Sequence, residues 1–130
     1  MNIRLIITLF ALLLLAACNH RSDTAVRKNL PGTWHVDDGS PMHTFTVAPN
    51  GDCVDHSVVG TPDKGTQTVE TDGIVEVKDG FLIHTITKSS RTNATAPLVL
   101  RARIIRADDR EMVINPEGTR DNFVLRKDTK

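Results

Sequence analysis

The sequence predicts an all-β chain: about eight short strands in an antiparallel up-and-down barrel, behind an N-terminal signal peptide. Three observations lead there. From residue 33 onward the apolar pattern has a period of two rather than 3.6. Short runs rich in β-branched residues recur, with Gly, Pro, Asn and Asp between them. The chain has only 130 residues and two cysteines, so closure into a barrel suits it: closure removes exposed edges without requiring a large core. In barrels of about eight strands the interior is either filled by side chains or holds one small ligand.

The N-terminus comes first. Arg4 is the only charge before Cys18, and Ile3 to Ala17 is otherwise apolar apart from Thr8. An apolar helix of that length spans roughly 20 Å, short of the roughly 30 Å hydrocarbon core. A basic start, an apolar middle and small residues at the end read as a secretory signal over residues 1–17. Residues 18–29 are polar and charged without apolar periodicity, and read as a tether reaching on the order of 20 Å. Within it, Ala25 to Leu30 has the makings of one helical turn before Pro31-Gly32 stops it.

The strands follow, in a domain spanning residues 30–127. Thr33 to Asp37 is the first, turned by Asp38-Gly39-Ser40-Pro41. His43 to Ala48 is the second, ended by Pro49-Asn50-Gly51, a hairpin signal. Asp52 to Val59 is the third. Thr66 to Val77 is the fourth, long enough to need a bulge, for which Gly73 is the natural place. Lys78-Asp79-Gly80 turns into the fifth, Phe81 to Lys88. Ser89 to Pro97 is the longest loop. Leu98 to Ala107 is the sixth strand, Glu111 to Asn115 the seventh and Thr119 to Lys127 the eighth.

Charge and composition exclude some functions. Lys and Arg balance Asp and Glu, and no basic stripe is present, so nucleic acid is not expected as a partner. The histidines are His20, His35, His43, His56 and His84; no two have a recognised ligand spacing, so they read as surface strand residues and no metal is expected. Asp37 and Asp38, like Asp108 and Asp109, fall at turns, where Asp is favoured for its bonds to nearby backbone rather than for acid–base work. Cys53 has no basic neighbour in sequence and reads as a free, buried, unreactive thiol. Ser57 and Ser90 lack a nucleophile motif, so no catalytic residue, enzyme activity or cofactor is expected. Arg101 and Arg103 share one face of the sixth strand, outside the barrel or at its mouth, opposite the apolar face of Leu98, Leu100, Ala102 and Ile104. Trp34, Phe45 and Phe123 are the large residues expected to face inward, and are the ligand-binding candidates.

Two motifs carry resemblances. Leu15-Ala16-Ala17-Cys18 resembles the bacterial lipobox. That implies cleavage before Cys18, its acylation with fatty acid, and a lipoprotein held to the cell envelope. Asn19, not Asp, follows the cysteine, which points to the outer membrane facing the periplasm. Leu30-Pro31-Gly32-Thr33-Trp34 resembles the Gly-X-Trp signature that opens lipocalins, and the span to Lys127 looks like the small bacterial lipocalin-like lipoproteins. The family's Thr-Asp-Tyr motif is absent, and the chain has no tyrosine. The resemblance implies that Gly32 and Trp34 close one barrel end, with Arg126 as the basic residue of the last strand packed on the indole. It further implies a monomer that binds a small apolar or amphipathic ligand without transforming it. The alternative is a protein-binding module, such as a periplasmic protease or lysozyme inhibitor, acting through the loop Ser89 to Pro97. An interior cavity of roughly 300 Å³ or more favours the first reading.

Overall fold

The computed structural model describes residues 22–40, 42–61, 63, 65–91 and 95–129. The expected signal peptide, the lipid attachment site Cys18 and His20 lie outside them, as does 92–94 of the long loop. The described residues form one short helix, α1 (Asp23–Asn29), and eight strands: β1 (Gly32–Asp37), β2 (Met42–Val47), β3 (Asp52–Thr61), β4 (Gly65–Lys78), β5 (Phe81–Ser89), β6 (Leu98–Ala107), β7 (Glu111–Pro116) and β8 (Phe123–Lys127). Each strand pairs antiparallel with the next, and β8 returns to β1 through Trp34↔Lys127 and Val36↔Leu125. The result is a closed eight-stranded barrel, all-β apart from α1 and consistent with a lipocalin-like barrel.

Two irregularities keep the apolar positions facing inward. The β4–β5 register shifts between Asp72 and Gly73: Asp72 pairs with Lys88 and Gly73 with Ile86, so the extra residue is Thr87 of β5, opposite the place on β4 where a bulge was expected. A Cβ on Gly73 would lie 2.2 Å from the Thr85 carbonyl oxygen, so β4 and β5 approach here only because this residue has no side chain. The β6–β7 register shifts between Ile104 and Arg106. That extra residue turns Ile105 out to solvent and returns Ala107 to the core.

One end of the barrel is filled by large side chains, with an outer depression beside the helix lined by Arg27, Leu30, Val47 and Val77. Trp34 is wholly buried among Val47, Cys53, Val77 and Met112, and its indole Nε1 donates to the Leu30 carbonyl at 2.8 Å. Helix α1 sits over this end. Ser22 caps it by accepting from the Ala25 N–H at 3.3 Å, and Asp23 in the first turn with Arg27 and Lys28 in the last suits the helix dipole. Seven residues do not hold a helix in water by themselves, so docking must stabilise it. Val26 is buried, the Asp23 carboxylate accepts from the Asp79 and Gly80 N–H groups at 2.7 and 3.0 Å, and Arg27 donates twice to the Val77 carbonyl. The tether expected up to Asn29 is therefore, from Asp23 onward, part of the folded domain. The one helical turn expected is nearly two, because Asp23 and Arg27 find backbone partners on the β4–β5 hairpin.

The residue packed on Trp34 is Lys127, not Arg126. Lys127 lies directly across from Trp34, with its Nζ 5.3 Å from the ring centroid and 2.6 Å from the Asn29 carbonyl oxygen. Arg126 points the other way, exposed, toward Asp37 and Glu111 at 3.7 and 3.6 Å. The cause is strand parity: Leu125 and Lys127 share the inner face with Trp34, and the residue between them cannot. Gly32 belongs to the same arrangement. Its φ of 134° suits glycine, and a Cβ there would meet the Lys127 stem at 2.5 Å.

Candidate functional site

The other half of the barrel is hollow. Above the Trp34 layer a cavity of about 470 Å³ is walled by Val36 of β1, Phe45 of β2, Leu82 of β5, Ala102 of β6, Ile114 of β7, and Phe123 and Leu125 of β8. Of the aromatic residues expected to meet a ligand, Phe45 and Phe123 line this cavity, and Trp34 lies below it in the filled end. The small side chain of Ala102, opposite a wall of larger apolar residues, helps leave the space open. Apolar side chains also reach solvent at the mouth: Val99 and Leu100 of β6 are 55% and 47% exposed.

Polar chemistry in the cavity is concentrated in one cluster. His43 projects inward from β2, two residues before Phe45 on the same face. Its Nδ1 is 2.7 Å from Asp38 Oδ2 and its Nε2 is 2.8 Å from Asp55 Oδ2. Carboxylate oxygens accept and do not donate, so a ring held this way on both sides carries both protons and is an imidazolium. The energetics agree. The Asp55 bond raises the His43 pKa, burial opposes it, and Asp38 adds to the rise, leaving it pushed up to about 9. Burial pushes Asp38 up, but its bonds from His43 and Ser40 outweigh that and hold it below the ordinary value. Asp38 performs two tasks: Oδ1 accepts from the Ser40 N–H in the turn, and Oδ2 reaches His43.

His84 lines the same cavity from β5, edge-on to Phe45 with ring centroids 5.6 Å apart. Its Nε2 is buried with no hydrogen-bond partner among the described residues. Burial lowers its pKa; Asp55 opposes that and the charge on His43 reinforces it. This ring is therefore neutral at pH 7, beside one that is charged. Gly73 across the sheet makes room for it, since a side chain there would crowd His84 Nε2 at 3.1 Å.

The His43 ring is poorly placed to act as a base. Ser57 lies directly across from His43, yet both nitrogens of that ring are held by carboxylates. Cys53 is free and 2% exposed, and burial, with Asp55 nearby, pushes its thiol up to about 12. It is therefore not a thiolate at neutral pH, as the sequence suggested. Among the described residues no group of three or more His, Cys, Asp and Glu side chains could hold a metal ion.

Sequence reasoning placed the histidines on the surface. That holds for His35, which pairs with Asp128, and for His56, 3.4 Å from Glu70. It fails for His43 and His84, which face the interior. Parity carried the missing signal: His43 alternates with Phe45 and Val47, and His84 with Leu82. Arg101 and Arg103 stack on Phe81 at 4.5 and 5.6 Å from its centroid, on the outer face as expected, and Arg101 also borders the cavity at its mouth. Asp108 keeps its turn role, accepting from the Arg110 and Glu111 N–H groups. Compared with known proteins, the chain matches no family model and no curated protein. The class that fold and site define is thus structural: a closed, lipocalin-like eight-stranded barrel with one filled end and one hollow end.

Proposed function

We propose that this protein is a lipid-anchored lipoprotein of the cell envelope whose barrel binds a small apolar or amphipathic ligand without transforming it. The observation that carries the reading is the cavity: about 470 Å³, within the range of small-molecule sites, with mostly apolar walls and a few polar groups. The anchor rests on Leu15-Ala16-Ala17-Cys18. Binding is tested by titrating the full-length protein with Nile red, a neutral apolar dye, and comparing Ala102→Phe, which fills the cavity. Saturable binding lost in the variant supports the reading; equal binding by both proteins contradicts it. The anchor is tested by Cys18→Ser, which should block acylation and leave unprocessed precursor. Processed mutant carrying labelled fatty acid would remove the anchor from the account.

A second reading has one observation in its favour. The apolar residues Leu98, Val99 and Leu100 are exposed beside the loop expected to act in a protein-binding module. A protein partner there would bury this strip and compete with Nile red at the cavity mouth.

A further inference from the structure

The cavity wall is not electrically neutral. Asp38, His43 and Asp55 are joined by two hydrogen bonds, and an imidazolium between two carboxylates leaves one negative charge unbalanced. The remaining charged groups of the lining do not cancel it. Arg101 and Glu117, at the rim, face each other at 3.6 Å, and the Arg101 guanidinium is stacked on Phe81 outside. Arg91 is not in the cavity lining; it borders a neighbouring depression that shares Asp38 and His43 with the cavity. His84 contributes no positive charge, because burial holds it neutral.

The excess has a definite location. Both oxygens of Asp38 are engaged, one by Ser40 and one by His43. Asp55 uses Oδ2 for His43, while Oδ1 accepts no hydrogen bond among the described residues, in a side chain only 17% exposed. A half-buried carboxylate oxygen beside an apolar cavity is a strong acceptor awaiting a donor. Phe45 stands directly across from Asp55 and places an aromatic ring in the same wall, which further favours a cation.

We infer that the cavity takes a monocationic amphiphile, a protonated amine on an apolar body, with its ammonium on Asp55 Oδ1 and its body among Leu82, Ala102, Ile114 and Phe123. The inference rests on the proposed binding of small apolar or amphipathic ligands and names the head group. The ammonium supplies both the missing proton donor and the missing positive charge.

The test uses three ligands of equal chain length, octylammonium, octanol and octanoate, displacing Nile red from the full-length protein at neutral pH. Octylammonium should displace the dye at a concentration about tenfold or more below octanol, with octanoate weakest. Asp55→Asn should abolish the amine's advantage and move octanol by less than about twofold. If octanol binds as tightly as octylammonium, or if folded Asp55→Asn keeps the preference, the head-group inference is overturned and apolar binding stands. If Nile red and all three ligands fail to bind, both fall. Should Asp55→Asn not fold, the wild-type ranking of octylammonium, octanol and octanoate still decides.

Discussion

The two ends of this barrel are built from the same eight strands and differ in nearly every other respect. At the closed end large side chains meet, Trp34 and Met112 among them, and a docked helix covers them. At the open end the inward positions hold Ala102, two histidines and two aspartates, and space remains. Such a small barrel does not pack both halves densely and also keep a cavity. The contrast suggests a division of labour, in which the closed end supplies stability and the open end can accept polar groups and a void.

Trp34→Ala gives the largest expected effect. Truncating a buried Trp costs about 3–5 kcal/mol, against a total for such domains of only about 5–15. The variant should be unfolded or show a much lower urea midpoint. Phe123→Ala removes an aromatic side chain from the cavity wall and should cost less, about 1–2 kcal/mol, because it enlarges a void already present. Equal losses from the two variants would erase the distinction between the ends.

The next effect belongs to the open end and is read against pH. The folded pKa of His43 is raised from 6.5 to about 9, so its contribution is full below pH 6.5 and is lost as pH rises through 9. The magnitude is on the order of 3 kcal/mol. His84 and Asp38 have lowered values and act on the acid side: their contributions are present above 6.5 and 3.8 respectively, and are lost as pH falls. Denaturation midpoints measured from pH 6 to 10 should decline on the alkaline side, and His43→Asn should flatten that decline. An unchanged alkaline slope in His43→Asn would remove the imidazolium from the account.

How much of this the sequence disclosed depends on whether the determinant is local. Asp79-Gly80 and Pro49-Asn50-Gly51 mark their turns by residue type alone, and β6 runs from Leu98 to Ala107 as the pattern indicates. β8 starts at Phe123 rather than Thr119, because the Thr119 hydroxyl closes the preceding turn on the Pro116 carbonyl instead of extending a strand. The exchange of Lys127 for Arg126 was readable from parity once Leu125 was placed inside. The polar cluster was not: Asp38 carries a turn signal, and Asp55 reaches His43 diagonally between strands, a pairing no local pattern reveals. The cavity depends on what eight inward faces leave unfilled, which no single segment states.

Two smaller predictions sharpen the closed end. Asp23→Ala removes the carboxylate that holds two backbone N–H groups of the β4–β5 turn, and should lower stability by about 1–2 kcal/mol while freeing α1 to exchange amide protons faster. Lys127→Ala should cost about 1 kcal/mol by removing the cation from the indole and a bond to Asn29. Arg126→Ala, on the exposed face, should cost less than about 0.5. The reverse ranking would mean that Arg126, not Lys127, covers Trp34.

The most direct measurement of the division between the ends is an amide and indole NMR map of the full-length protein titrated with octylammonium. The account predicts saturable shifts at Phe45, Asp55, Leu82, Ala102 and Ile114, with the Trp34 indole N–H and the Val77 and Met112 amides unmoved. Shifts centred on the Trp34 indole, or none that saturate at any site, would contradict it.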